Sequence, residues 1–189
     1  MNKPRNWENT QAYGDYEPLE LGGHICKIIK IKEAKSRADK DMIVIYLDIA
    51  SGPQAGYFTK QYAQDTREDK KWPNSGIVYQ LIEDKDGNAS RGFKTFIDAV
   101  EKSNQGFNQD EIWDENFEAH FKDKLVGGVF RREQYKNQNN ELKWSTKCMG
   151  FRDIEAIENG VEVPADKYLE ETKAPSGFTA GNYDDDLPF

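Results

Sequence analysis

Two runs near the start of the chain alternate apolar and polar positions with the period of a β-strand. In the first, Ile25, Lys27, Ile29 and Ile31 alternate with Cys26, Ile28, Lys30 and Lys32, so the strand is apolar on both sides at first and basic toward its end. The second places Ile43, Ile45, Leu47 and Ile49 on one face and Met42, Val44, Tyr46 and Asp48 on the other. Its density of β-branched residues makes it the strongest strand in the chain. Gly22-Gly23 marks a turn before the first run, residues 36–41 a turn between the two, and Gly52-Pro53 a break after the second. Residues 56–62 (GYFTKQY) read as a third strand, with Phe58, Lys60 and Tyr62 on one face.

The pattern then changes. Residues 63–92 are polar, carry Trp72-Pro73 and Asp86-Gly87, and read as an excursion with a short helix. Phe93, Phe96, Ile97 and Val100 follow at i, i+3, i+4, i+7, which is one face of a three-turn helix ending near Asn104 and Gly106. Phe107, Ile112, Trp113, Phe117 and Phe121 sit in an acidic background that reads as a helical turn and loop. Residues 124–135 (KLVGGVFRREQY) return to a strand, with Gly127-Gly128 as a bulge or bend. A polar hairpin tip at 136–141 leads into a returning strand, in which Leu142, Trp144, Thr146 and Cys148 alternate with Lys143, Ser145, Lys147 and Met149.

Three strands in a meander, one helix after the third and a closing hairpin match a mainly β architecture, the five-stranded Greek-key barrel called the OB-fold. An unclosed α+β sandwich uses the same elements. The expected division is an N-terminal arm at 1–20 carrying Trp7, Tyr13 and Tyr16, a domain at 21–164, and an acidic tail at 165–189. The tail is rich in Gly, Pro, Ser, Thr and charge without an apolar period, the composition of a disordered tether. It nevertheless finishes Asp184-Asp185-Asp186-Leu187-Pro188-Phe189, three carboxylates before an apolar Leu-Pro-Phe. That suits a peptide docked into a basic-rimmed pocket with an apolar hole for Phe189. The plain alternative is a solubilising acidic tail.

Composition narrows the class. Over 189 residues the hydrophobic share is 37% and the aromatic share 12%, enough for a core. Mean hydropathy is -0.90, no apolar run approaches the roughly 20 residues of a spanning helix, and the first residues lack the apolar stretch of a signal peptide. Cys26 and Cys148 lie in strand-like runs and read as reduced, buried small hydrophobes of a cytoplasmic protein. His24 and His120 are far apart and no CxxC occurs, so neither a metal nor another cofactor is indicated.

The net charge of -8 speaks at first against nucleic acid, but its distribution argues the other way. Residues 165–189 hold six acids against two lysines, and residues 98–118 seven acids against one lysine, whereas residues 119–152 hold eight bases against three acids. A nucleic-acid surface needs a basic face, not a basic whole. Single strands are held by basic side chains along the phosphates and by aromatic rings on which bases stack. The candidates with that character are Lys30, Lys32, Phe58, Lys60, Tyr62, Arg131, Arg132, Tyr135, Lys143, Trp144 and Lys147, with Tyr46 and Trp72 as further aromatics. Phe58 and Trp144 alternate with core positions and fit the interior as well as a surface. Trp72 before Pro73 also fits a loop anchor.

The last six residues, DDDLPF, resemble the acidic tip of bacterial single-stranded DNA-binding proteins. Residues 16–152 and the tip together are similar to the single-strand-binding-like proteins of phages and mobile elements of Gram-positive bacteria. The segments that carry the likeness are YEPLELGGHICKIIKI, MIVIYLDIASG with GYFTKQY, FKTFIDAVEKSN and KLVGGVFRREQY. The later start of the first strand and the 63–92 and 105–121 stretches depart from the cellular proteins, so a tetramer is not inherited and a homo-oligomer stays open. The resemblance implies an OB-fold that binds and protects single-stranded DNA without sequence preference. It also implies that the tip recruits replication, recombination or repair proteins. No Walker loop, GxSxG or HExxH occurs, and the Asp110-Glu111 and Asp114-Glu115 pairs fit a solvated acidic face better than a nuclease metal site. The expectation is therefore a binding protein, not an enzyme. The competing expectation is a protein–protein adaptor, whose barrel would expose an apolar, charge-poor patch.

Overall fold

The computed structural model describes residues 2–5, 7 and 17–169. Five strands, β1 (Gly22–Lys35), β2 (Asp41–Ile49), β3 (Ile77–Leu81), β4 (Leu125–Lys136) and β5 (Leu142–Arg152), form one open antiparallel sheet in the order β3-β2-β1-β4-β5. β1 is the centre because it is long enough to serve two partners. Its Gly22–Lys27 half pairs with β4, and residues from Cys26 onward pair with β2. Among the described residues, no helix is long and apolar enough to cross a membrane.

A bulge in β1 sets which side chains face inward. Ile28 pairs with Leu47 and Lys30 with Tyr46, so Ile29 is the extra residue. The shift keeps both Ile28 and Ile31 in the core, at 0% and 2% exposure, and turns Lys30 outward. Strict alternation through Ile29 and Ile31 therefore stops at the bulge.

The third strand lies elsewhere than expected. Residues 57–64 form a helix, α1 (Tyr57–Gln64), and the strand beside β2 is β3, inside the polar 63–92 stretch. Two contacts override the strand propensity of Tyr57, Phe58 and Thr59. Gly56 turns the chain with φ 73°, and the buried Asp48 at the end of β2 caps the new helix. Its carboxylate accepts from Phe58 N at 2.9 Å and from the Thr59 hydroxyl.

α2 (Arg91–Ser103) falls where its periodicity predicts. Ser90 Oγ accepts from Phe93 N at 3.1 Å, and Phe93, Phe96, Ile97 and Val100 are all buried. Such side chains are each worth about 1.5–3 kcal/mol of burial, which outweighs the weak intrinsic preference of the helix. A short α3 (Phe117–His120) follows, so two helices, not one, separate β3 from β4. The 105–121 stretch adds Phe107, Ile112, Phe117 and Phe121 to the core. Finally α4 (Ile154–Glu158), capped by Asp153, lays Ile157 over the sheet.

Gly127 and Gly128 are not the bulge of β4; the irregularity in its pairing lies between Val129 and Phe130. They are glycines because neighbours press close. A Cβ at Gly127 would stand 2.4 Å from Ile157, and one at Gly128 would stand 3.0 Å from the Cys26 sulfur. Gly22-Gly23 likewise opens β1 as strand, not as a turn, and Gly23 lies beneath Val161 and Ile157.

Candidate nucleic-acid interface

The strand registers assign side chains to faces. On the outer face of β1-β2-β3, three cross-strand rows run Lys30–Tyr46–Ile77, Lys32–Val44–Tyr79 and Ala34–Met42–Leu81. The opposite face carries Ile31, Ile43, Ile45 and Leu47 and is core. Every charge in the three outer rows is positive. Lys30 and Lys32 are exposed, and Lys30 Nζ sits 4.5 Å from the centre of the Tyr46 ring. Tyr79 is 46% exposed beside them. This is the pattern of bases and aromatics that single strands require.

Tyr79 is not among the candidates that the sequence pattern singles out. A signal for it exists: Ile77-Val78-Tyr79-Gln80-Leu81 is a short β-branched and aromatic alternation within polar surroundings. Tyr46 is half-buried beneath Lys30 and belongs to the same patch.

The β4–β5 hairpin carries most of the other candidates, on two faces. Arg131 lies opposite Lys147 and Tyr135 opposite Lys143, which puts these four on one face. Tyr135 is 43% exposed. Arg131 pairs with Glu133 at 2.8 Å, and Lys143 with Glu141 at 3.3 Å. Burial pushes the Lys147 ammonium below its usual value while Glu133 pulls it back. Lys147 Nζ donates to Asn74 O at 3.4 Å. Asn74 lies three residues before Ile77, the cross-strand partner of Tyr46. Lys147 thus links the hairpin to the β1-β2-β3 patch.

Arg132 and Trp144 belong to the other hairpin face, opposite Thr146 and Gln134. The Arg132 guanidinium lies 5.2 Å over the Trp144 ring. Residues 166–169, from the stretch expected to be tail, run beside them. Lys167 forms a parallel bridge to β4, Asp166 pairs with Arg132, and the Tyr168 ring meets Trp144 edge-on at 5.2 Å. The Arg132 guanidinium holds the Asp166 carboxyl below its usual value, and Asp166 raises that of Arg132.

The α1 candidates separate because helical geometry splits alternate residues. Phe58 is fully buried, with its ring 6.4 Å from that of Phe130, and has no surface for a base. Lys60 donates to Ala55 O at 2.9 Å. Tyr62, one turn beyond Phe58 and 36% exposed, lies 5.5 Å from Trp72. Trp72 is itself fixed by its indole N–H to Leu47 O at 3.1 Å, the contact of a loop anchor. Asp184, Asp185, Asp186, Leu187, Pro188 and Phe189 lie outside the described residues.

No protein-family model matches the chain, and no curated protein matches it.

Proposed function

We propose that this protein binds single-stranded DNA without sequence preference, using the outer face of β1-β2-β3 continued onto the β4–β5 hairpin, and recruits partner proteins through Asp184–Phe189. The observation that carries the reading is the all-positive, aromatic-bearing face of Lys30, Lys32, Tyr46 and Tyr79. Binding of this kind needs no chemistry: lysines displace counterions from phosphates, and each stacked base adds about 1–3 kcal/mol. We read the sheet as an OB-type barrel. Two features favour that reading: β4 returns by a long connection to lie beside β1, and Lys147 of β5 reaches the segment that leads into β3. The fit with phage or mobile-element replication and recombination rests on the resemblance of the sequence segments and tip.

A fluorescence titration with oligo-dT at two salt concentrations, beside a duplex control, tests the proposal. Quenching or enhancement by the single strand that weakens with salt, and little response to duplex, is the expected result. Absence of binding to oligo-dT at low salt would sink it and leave the protein–protein adaptor as the reading.

A further inference from the structure

Arg132 and Trp144 are exposed side chains in cation–π contact with each other, and both also touch residues 166–168 of their own chain. β1 pairs with β4 only as far as Phe130, so the distal half of β4 leaves one edge without a sheet partner. Residues 166–169 take that edge with two backbone hydrogen bonds, Lys167 N to Arg132 O at 2.9 Å and Gln134 N to Lys167 O at 2.8 Å. Their side chains then make two further contacts. Asp166 meets the guanidinium fork bidentately, with Nε to Oδ1 at 3.1 Å and Nη2 to Oδ2. Tyr168 sets its ring against the indole. An acid on an arginine fork and an aromatic ring on an indole are what one nucleotide would offer the same two residues, a phosphate and a base.

We propose that Arg132 and Trp144 form a one-nucleotide subsite, and that Asp166 and Tyr168 occupy it as a strap when no strand is bound. The proposal rests on the single-strand reading above and adds its regulation. The strap is built to leave. Tyr168 is 65% exposed, so its ring has no core anchor. The Arg132 side chain is half exposed, so water and salt reach its ion pair from that side, although Asp166 is more covered. A phosphate would use the same two nitrogens that Asp166 uses, so strand and strap exclude each other at this point.

Oligo-dT affinity measured for the full chain and for the double variant Asp166→Ala/Tyr168→Ala tests the strap, with both repeated in an Arg132→Ala background. The released variant is expected to bind about three- to tenfold more tightly, the factor by which a strap closed roughly 70–90% of the time weakens apparent affinity. The gain should vanish when Arg132 is absent. Equal or weaker binding by the released variant, with the unmodified chain binding, overturns the subsite and leaves the single-strand reading intact. A gain that persists without Arg132 also overturns it, since removing any negative charge would then suffice. No binding by any of the proteins at low salt overturns both. Thermal melting checks each variant; should the double variant fail to fold, Asp166→Asn, which keeps the side-chain size, carries the same comparison.

Discussion

Tyr79 and Phe58 are both aromatic, and their exposure assigns them opposite work. Tyr79 stands 46% exposed on a face with two lysines, whereas Phe58 is at 0% inside the core cluster. Tyr79→Ala should therefore weaken oligo-dT binding by about 1–3 kcal/mol, roughly 5- to 150-fold, with little change in Tm. Phe58→Ala should cost about 3–5 kcal/mol of stability through its cavity. Melting curves beside binding isotherms separate the two, and a Tyr79→Ala protein that binds normally would remove the ring from the site. The cysteines make a second residue-scale case. Burial pushes the Cys148 thiol up to about 12, and burial also raises Cys26 well above its usual value. The thiolate is the reactive form, so at pH 8, far below these values, neither thiol should react with iodoacetamide on a scale of minutes, while both should react in denaturant. Rapid labelling of Cys26, the fully buried thiol, would show that β1 opens.

What the sequence disclosed about elements followed the regularity of each one. α2 was legible because four apolar residues at helical spacing have no second interpretation, and β2 because Ile43, Ile45, Leu47 and Ile49 alternate cleanly with their neighbours. α1 was not, because its strand-like Tyr57-Phe58-Thr59 becomes helical through Asp48, ten residues away from Phe58 in the chain. A distant cap leaves no local trace. The same misplacement hid β3, whose five residues are short and flanked by polar loops, and with it Tyr79. The bulge at Ile29 was equally silent, and it is what turns Lys30 and Lys32 away from the core face that Cys26 and Ile28 occupy. The dependence of α1 on Asp48 is testable. Asp48→Ala leaves Phe58 N and Thr59 without their acceptor, a loss of about 1–3 kcal/mol. Tm should fall by about 2–4 °C for each kcal/mol in a domain of this size. An unchanged Tm would mean that the packing of Phe58 holds the helix without its cap.

At the scale of the whole molecule, the proposed function asks a chain of net charge -8 to attract a polyanion. Separation along the chain leaves room for it: Lys30 and Lys32 stand on one sheet face, and acids concentrate in residues 98–118 and 165–189 of the sequence. At physiological ionic strength charges are screened beyond about 8 Å, so a strand close to Lys30 and Lys32 feels chiefly the local face, while a strand approaching at low salt feels the total. Residues 184–186 add three negative charges to that total. Deleting residues 184–189 should therefore leave oligo-dT affinity unchanged at physiological salt and raise it slightly at low salt, because three negative charges that compete with and repel the strand are gone. Both effects should fade as salt is added. The same deletion should abolish capture of any partner that reads the acidic-apolar peptide, because such a pocket needs both the carboxylates and Phe189. Affinities at two salt concentrations for the full and shortened chains provide the check. Weaker DNA binding after deletion would place the last six residues within the strand-binding site and reverse the assignment of a docking role to them.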